Sequence, residues 1–75
     1  MEEKLLSILN YIIEKNDKRK LEYLNPNLSL RNDLEFDSLD LAELTVRIED
    51  EFNVDVFEDG IIDTVSEIIR IIRRG

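Results

Sequence analysis

Neither cysteine nor histidine occurs in the 75 residues of this chain. Without cysteine there is no disulfide staple and no thiol nucleophile, and without both residues the usual zinc sites are excluded. The lack of histidine also removes the commonest acid-base side chain near neutral pH. Any chemistry at a hydroxyl of this chain must therefore be done by another protein. Long apolar runs are missing too: none approaches the roughly 20 residues that span a bilayer. The Met1-Glu2-Glu3 start lacks the basic opening and apolar stretch of a secretory signal, so the expected compartment is the cytoplasm. Glycine occurs twice and proline once, and Gly60 and Pro26 fall where helical patterning breaks.

Positive charge is the scarcer sign, with 10 Lys and Arg against 18 Asp and Glu and a net charge of -8. Its distribution is uneven. From Arg31 to Asp63 the acids are Asp33, Glu35, Asp37, Asp40, Glu43, Glu49, Asp50, Glu51, Asp55, Glu58, Asp59 and Asp63, opposed only by Arg31 and Arg47. The bases gather at Lys15 to Lys20 and Arg70 to Arg74. An anionic middle repels nucleic acid and anionic lipid and steers basic protein surfaces toward it. Nucleic acid binding is not expected.

The length suits one small domain, residues 1–75, which hides only about 60% of its unfolded surface and needs nearly all its apolar side chains inside. Leu5, Ile8, Leu9, Ile12 and Ile13 recur at helical spacing, predicting a helix from about 2 to about 17. Leu39, Leu41, Leu44, Ile48 and Phe52 predict a second over about 38 to 52, ending at Asn53 and the β-branched Val54 and Val56. Thr64 with Glu67 three residues on forms a capping box for a last helix over about 65 to 73, whose buried face is Val65, Ile68, Ile69 and Ile72. Glu58 to Ile62, interrupted by Gly60, reads as a single turn or an irregular connection. The segment Lys20 to Phe36 is long for a loop, but Leu21, Leu24, Leu28, Leu30 and Leu34 can pin it, and Asn25-Pro26-Asn27 marks a turn. The expected fold class is all-α, a small bundle of three main helices plus a short third one, with a long loop between the first two.

Within this frame the run Leu34-Glu35-Phe36-Asp37-Ser38-Leu39-Asp40-Leu41 places one serine at a helix mouth. Asp37 suits the N-cap, accepting from the amide of Leu39 or Asp40. Asp40 then stands at the third helical position, favoured by the dipole, and Phe36 and Leu41 have the spacing of a hydrophobic staple. Ser38 becomes the first helical residue, its hydroxyl facing out. On local grounds this is an ordinary helix beginning. A calcium loop on Asp33, Glu35 and Asp37 fails, because Ser38 stands where glycine is needed and Leu44 where glutamate is. A hydrolase on Ser38 lacks a base and the Gly-x-Ser-x-Gly elbow. An acidic module that binds basic partners without a cofactor stays open.

The order of these elements resembles the acyl carrier protein family over nearly the whole length: an amphipathic first helix, Asn25-Pro26 and Leu28-Ser29-Leu30-Arg31-Asn32-Asp33-Leu34, then Asp37-Ser38-Leu39-Asp40, Glu43-Leu44, Glu49-Asp50-Glu51-Phe52 and Asp63-Thr64-Val65-Ser66-Glu67-Ile68-Ile69. The resemblance implies that Ser38, flanked by Asp37 and Leu39, receives 4′-phosphopantetheine from coenzyme A through a phosphodiester. A separate phosphopantetheinyl transferase that uses magnesium would install it, and acyl groups would ride the arm as thioesters. It implies a non-catalytic, monomeric carrier that meets acyl transferases, synthases or ligases in fatty acid, polyketide or related lipid biosynthesis. An aminoacyl or peptidyl carrier is the nearest alternative. The implied docking face is an apolar strip of Leu39, Ala42 and Val46 beside Asp40, Glu43, Glu49 and Asp50, and the implied acyl pocket is lined by Ile48, Ile61, Ile62, Val65 and Ile68. Three features depart from the family pattern: Glu35 stands where many members have glycine, Arg47 interrupts the acidic outer face, and the connection from Phe57 to Asp63 is short.

Overall fold

α1 (Glu2–Lys15), α2 (Ser38–Phe52) and α3 (Val65–Arg74) are the helices of the computed structural model, which describes residues 1–57 and 62–74. The expected short third helix or turn falls on 58–61 and lies outside the described residues. None of the described helices is long and apolar enough to cross a membrane.

α1 buries Leu5, Leu9, Ile12 and Ile13 on one stripe, with Glu2 and Glu3 at its positive end and Lys15 at its negative end. It stops two residues before the periodicity suggests. Asp17 turns left-handed at φ 61°, and the amides of Asp17 and Lys18 donate to Glu14 O (2.9 Å) and Ile13 O (3.0 Å), closing the helix as a Schellman motif. α2 buries Leu44 and Ile48 and half-buries Leu41 and Phe52. Leu39, which fits the same apolar spacing, is 79% exposed. Asn53 ends α2 in the left-handed region, φ 59°, donating to Glu49 O at 2.8 Å.

The long loop supplies core as the helices do. Leu30, Leu34 and Phe36 are buried in one cluster with the faces of α1, α2 and α3 and with Val56 and Ile62, while Leu21, Leu24 and Leu28 pack at its edge. The turn at Asn25-Pro26-Asn27 is closed by Leu28 N donating to Asn25 O (3.0 Å) and Asn27 N to Asn25 Oδ1 (3.0 Å). Asn10 of α1 holds Leu21 from both sides, its amide donating to Leu21 O (3.0 Å) and its carbonyl accepting from Leu21 N (2.7 Å).

Farther along, the loop is stitched to the start of α3. Leu30 N donates to Asp63 O (2.8 Å), Val65 N to Leu28 O (3.1 Å) and Ser66 N to Pro26 O (3.0 Å). The Asp63 carboxylate accepts from Ser29 Oγ (2.7 Å) and Arg31 N (3.3 Å). A long loop is tolerated here because its polar backbone finds fixed partners and its leucines find the core.

Glu67 closes the expected capping box with Thr64 and goes further: its Oε1 accepts from Thr64 N (2.9 Å) and Asp63 N (3.1 Å). These two amides, Thr64 first, hold its carboxyl below the ordinary value of 4.5. A carboxyl depressed in the folded state stabilises above its unfolded pKa, and that contribution fades as pH falls through the folded value. Glu67→Gln should therefore lower Tm at about pH 6, with the gap to the native protein narrowing toward about pH 3. A constant gap would assign the loss to packing instead.

Glu35 has φ 57°, the region in which glycine is at ease and other residues carry strain. The glycine that the family resemblance implies here would be free of that strain. The Lys18 ammonium, 2.8 Å from Glu35 Oε1, holds the carboxyl below its ordinary range, but at such an exposed site the pair contributes little. Glu35→Gly should raise Tm by a few degrees, and a lower Tm would show that the ion pair outweighs the strain.

Candidate functional site

The mouth of α2 is built from side chains that cap one another. Asp37 adopts an extended backbone, φ -95° and ψ -174°, and its Oδ1 accepts from Asp40 N at 2.9 Å, while Asp40 Oδ2 accepts from Asp37 N at 3.1 Å. The staple pair is in place: Phe36 is buried and Leu41 half-buried against the core. Asp40 Oδ2 also accepts from Asn16 Nδ2 at 3.0 Å, tying the end of α1 to the start of α2. Asp40, which the sequence sets among the partner-facing acids, is thus turned inward at 8% exposure. A carboxylate so enclosed needs these donors, and both of them fall on Oδ2.

Ser38 follows as the first residue of α2 and is exposed. Its hydroxyl and the amides of Ser38 and Leu39 have no hydrogen-bond partner among the described residues. Open amides at the positive end of a helix favour an anion there, as a phosphate ester would be. The Asp37 carboxylate opposes part of that effect and is itself engaged with the Asp40 amide. The residues present therefore fit a phosphate-linked group on Ser38: an accessible hydroxyl, open donors beside it and no side chain in the way.

The remaining candidates divide. Leu39 and Val46 are 79% and 66% exposed and Ala42 is exposed, so this strip is surface and not the edge of the core. Glu49 and Asp50 are exposed beside it. Glu43 differs: Lys15 Nζ bonds one oxygen and Arg47 Nε the other at 3.0 Å. Lys15 first and Arg47 second hold its carboxyl below the ordinary carboxylate range, and Glu43 in turn raises Lys15. The Arg47 guanidinium sits 3.9 Å over the ring of Tyr11 on α1. Sequence spacing could have shown the Glu43 and Arg47 pair, four residues apart on one helix. The shares of Tyr11, Lys15 and Asn16 are tertiary and left no local signal.

Ile48, Ile62, Val65 and Ile68 are brought together in the buried cluster. Ile61 lies outside the described residues.

The chain matches the family model described as a phosphopantetheine attachment site over residues 4–72. It is 34% identical over 67 residues to acyl carrier protein 3 of Ralstonia nicotianae, covering 87% of this chain and 77% of that one. With the acyl carrier protein of Lactobacillus acidophilus it shares 30% identity over 74 residues, covering 96% and 92% respectively. No solved structure matches it significantly.

Proposed function

Because the chain belongs to the acyl carrier protein family, whose cofactor is covalent 4′-phosphopantetheine, we propose that Ser38 bears that arm and that α2 presents the cargo to partner enzymes. The observation that carries this reading is the unbonded, exposed hydroxyl of Ser38 at the open mouth of α2. When bound, the group supplies a thiol on a flexible tether, to which acyl chains attach as thioesters.

The chain's own part is positional. Asp37 and Asp40 fix the first turn, so the hydroxyl stands clear of the surface. Each spends one carboxylate oxygen on the cap, and no histidine exists to act as a base toward the hydroxyl. Activation of the hydroxyl therefore falls to a phosphopantetheinyl transferase. Leu39, Ala42 and Val46 give partners a shallow apolar contact, and Glu49 and Asp50 attract their basic side chains. Such association is fast, weak and sensitive to salt.

The acidity of α2 favours acyl cargo in fatty acid, polyketide or related lipid biosynthesis over aminoacyl or peptidyl cargo. Ile48, Ile62, Val65 and Ile68 would line the space an acyl chain enters by parting the helices. An acyl chain held by the folded state alone should raise Tm over that of the unacylated carrier, and an unchanged Tm would mean the chain stays in solvent.

The test of the reading is the intact mass after incubation with coenzyme A, magnesium and a broadly tolerant phosphopantetheinyl transferase. One added phosphopantetheine per chain is expected. No addition to a folded protein would favour an acidic interaction module without a cofactor.

A further inference from the structure

The charge on α2 does not surround its apolar strip evenly. At about 100° per residue, Glu49 and Arg47 fall on opposite flanks of the line through Leu39, Ala42 and Val46, and Asp50 continues that line beyond Val46. Glu49 and Asp50 carry no ion pair among the described residues. On the flank toward α1, two cations, Lys15 and Arg47, share the single carboxylate of Glu43, whose side chain is only 22% exposed. Asp40 also bears on Lys15, and Lys4 pairs with Glu51, so the charges of that flank balance, whereas Glu49 and Asp50 leave the other side unopposed.

The two cations are not equivalent. Lys15 reaches Glu43 on a flexible stem that is 49% exposed and can swing aside. Arg47 is fixed by three things at once: its place in α2, its bond to Glu43 and the Tyr11 ring beneath it. Its side chain remains 39% exposed, so a docked partner meets it.

We propose that Arg47 is a specificity-determining residue of the docking face, which fits a partner enzyme bearing an acidic side chain opposite Arg47 and basic side chains opposite Glu49 and Asp50. This rests on α2 being the docking face. A partner whose patch is uniformly basic meets the exposed Arg47 guanidinium on the α1 flank, and only one rotation about the strip matches all three charges.

The experiment measures transfer of phosphopantetheine from coenzyme A by a transferase whose carrier-facing patch is uniformly basic. The substrates are the native chain, Arg47→Met, Arg47→Lys, Glu43→Gln and the double variant Arg47→Met/Glu43→Gln. Methionine keeps the aliphatic body over Tyr11 without the charge. Arg47→Met should raise kcat/KM about threefold or more, mainly by lowering KM. Glu43→Gln should cost more in the Arg47→Met background than in the native one, and Arg47→Lys, which keeps the charge on a stem held less firmly over Tyr11, should fall between the native chain and Arg47→Met. A fall or no change with Arg47→Met, or equal behaviour of Arg47→Met and Arg47→Lys, would overturn the proposal and leave Arg47 a packing residue. Glu49→Gln/Asp50→Asn tests the premise separately: if it leaves kcat/KM unaltered, α2 is not the docking face and the assignment of Arg47 falls with it. Thermal melts of each variant confirm that the chains compared are folded.

Discussion

Ser38→Ala is expected to abolish phosphopantetheine attachment and to leave the fold as stable as before. The chain holds a second serine near the start of a helix, Ser66, and the contrast between the two is why attachment is expected at Ser38 alone. Ser66 is also exposed, but its amide is spent on Pro26 O (3.0 Å) and its hydroxyl is bonded to Thr64 Oγ1 (3.0 Å). The amide of Val65 goes to Leu28 O (3.1 Å). No open donors await an anion at the start of α3, whereas the amides of Ser38 and Leu39 are open. Removing the Ser38 hydroxyl breaks no hydrogen bond among the described residues, and the Asp37 cap survives it. The change in stability should stay within about 0.5 kcal/mol. Intact mass and a melting curve read both halves of this expectation. Attachment to the alanine variant would move the site elsewhere, and a large drop in Tm would give Ser38 a structural role that its geometry does not show.

Asp40→Ala should produce the largest loss of stability among changes to the polar side chains at the mouth of α2. The substitution leaves Asp37 N and Asn16 Nδ2 without their acceptor in a part-buried setting, and an orphaned donor costs about 1–3 kcal/mol. Allowing for water reaching one of them, the loss is about 2 kcal/mol, a substantial share of what a domain this small has. Tm should fall by about 8–16 °C. Asp40→Asn, which keeps an acceptor oxygen, should recover much of it. The same variants separate structure from docking. If Asp40→Ala weakened transfer of phosphopantetheine without lowering Tm, the residue would face partners after all.

Much of this was legible because the signals are local. Asp37 before Ser38, and Thr64 with Glu67, announce helix starts through side chains that reach only three residues, and each cap forms as the spacing implies. The stripe in α1 and the face of α3 follow from periodicity, since one side of each helix must be dry. Where α1 ends was not legible: the periodicity carries the helix two residues too far, and the stop comes from Asp17 turning left-handed, which its side chain permits but does not dictate. The inward turn of Asp40 depends on Asn16, which is 24 residues away. The pairing of Glu43 with Lys15 and the stacking of Arg47 on Tyr11 depend on how α1 lies against α2. A single sequence records which charges exist, but the partner each one takes is settled by tertiary geometry.

The stitch between the loop and the start of α3 also bears on when the frame around Ser38 can close. Ser29 and Asp63 are 34 residues apart, and drawing them together costs chain entropy before any of the bonds around them repays it. A growing polypeptide that has already produced Asp37, Ser38 and α2 still lacks Asp63, Thr64 and α3. Leu30, Leu34 and Phe36 then have only half of their core to enter. The serine is made before its frame is complete, so a transferase that reads the shape of the surface, and not the bare tripeptide, would meet a finished substrate only once synthesis has passed α3.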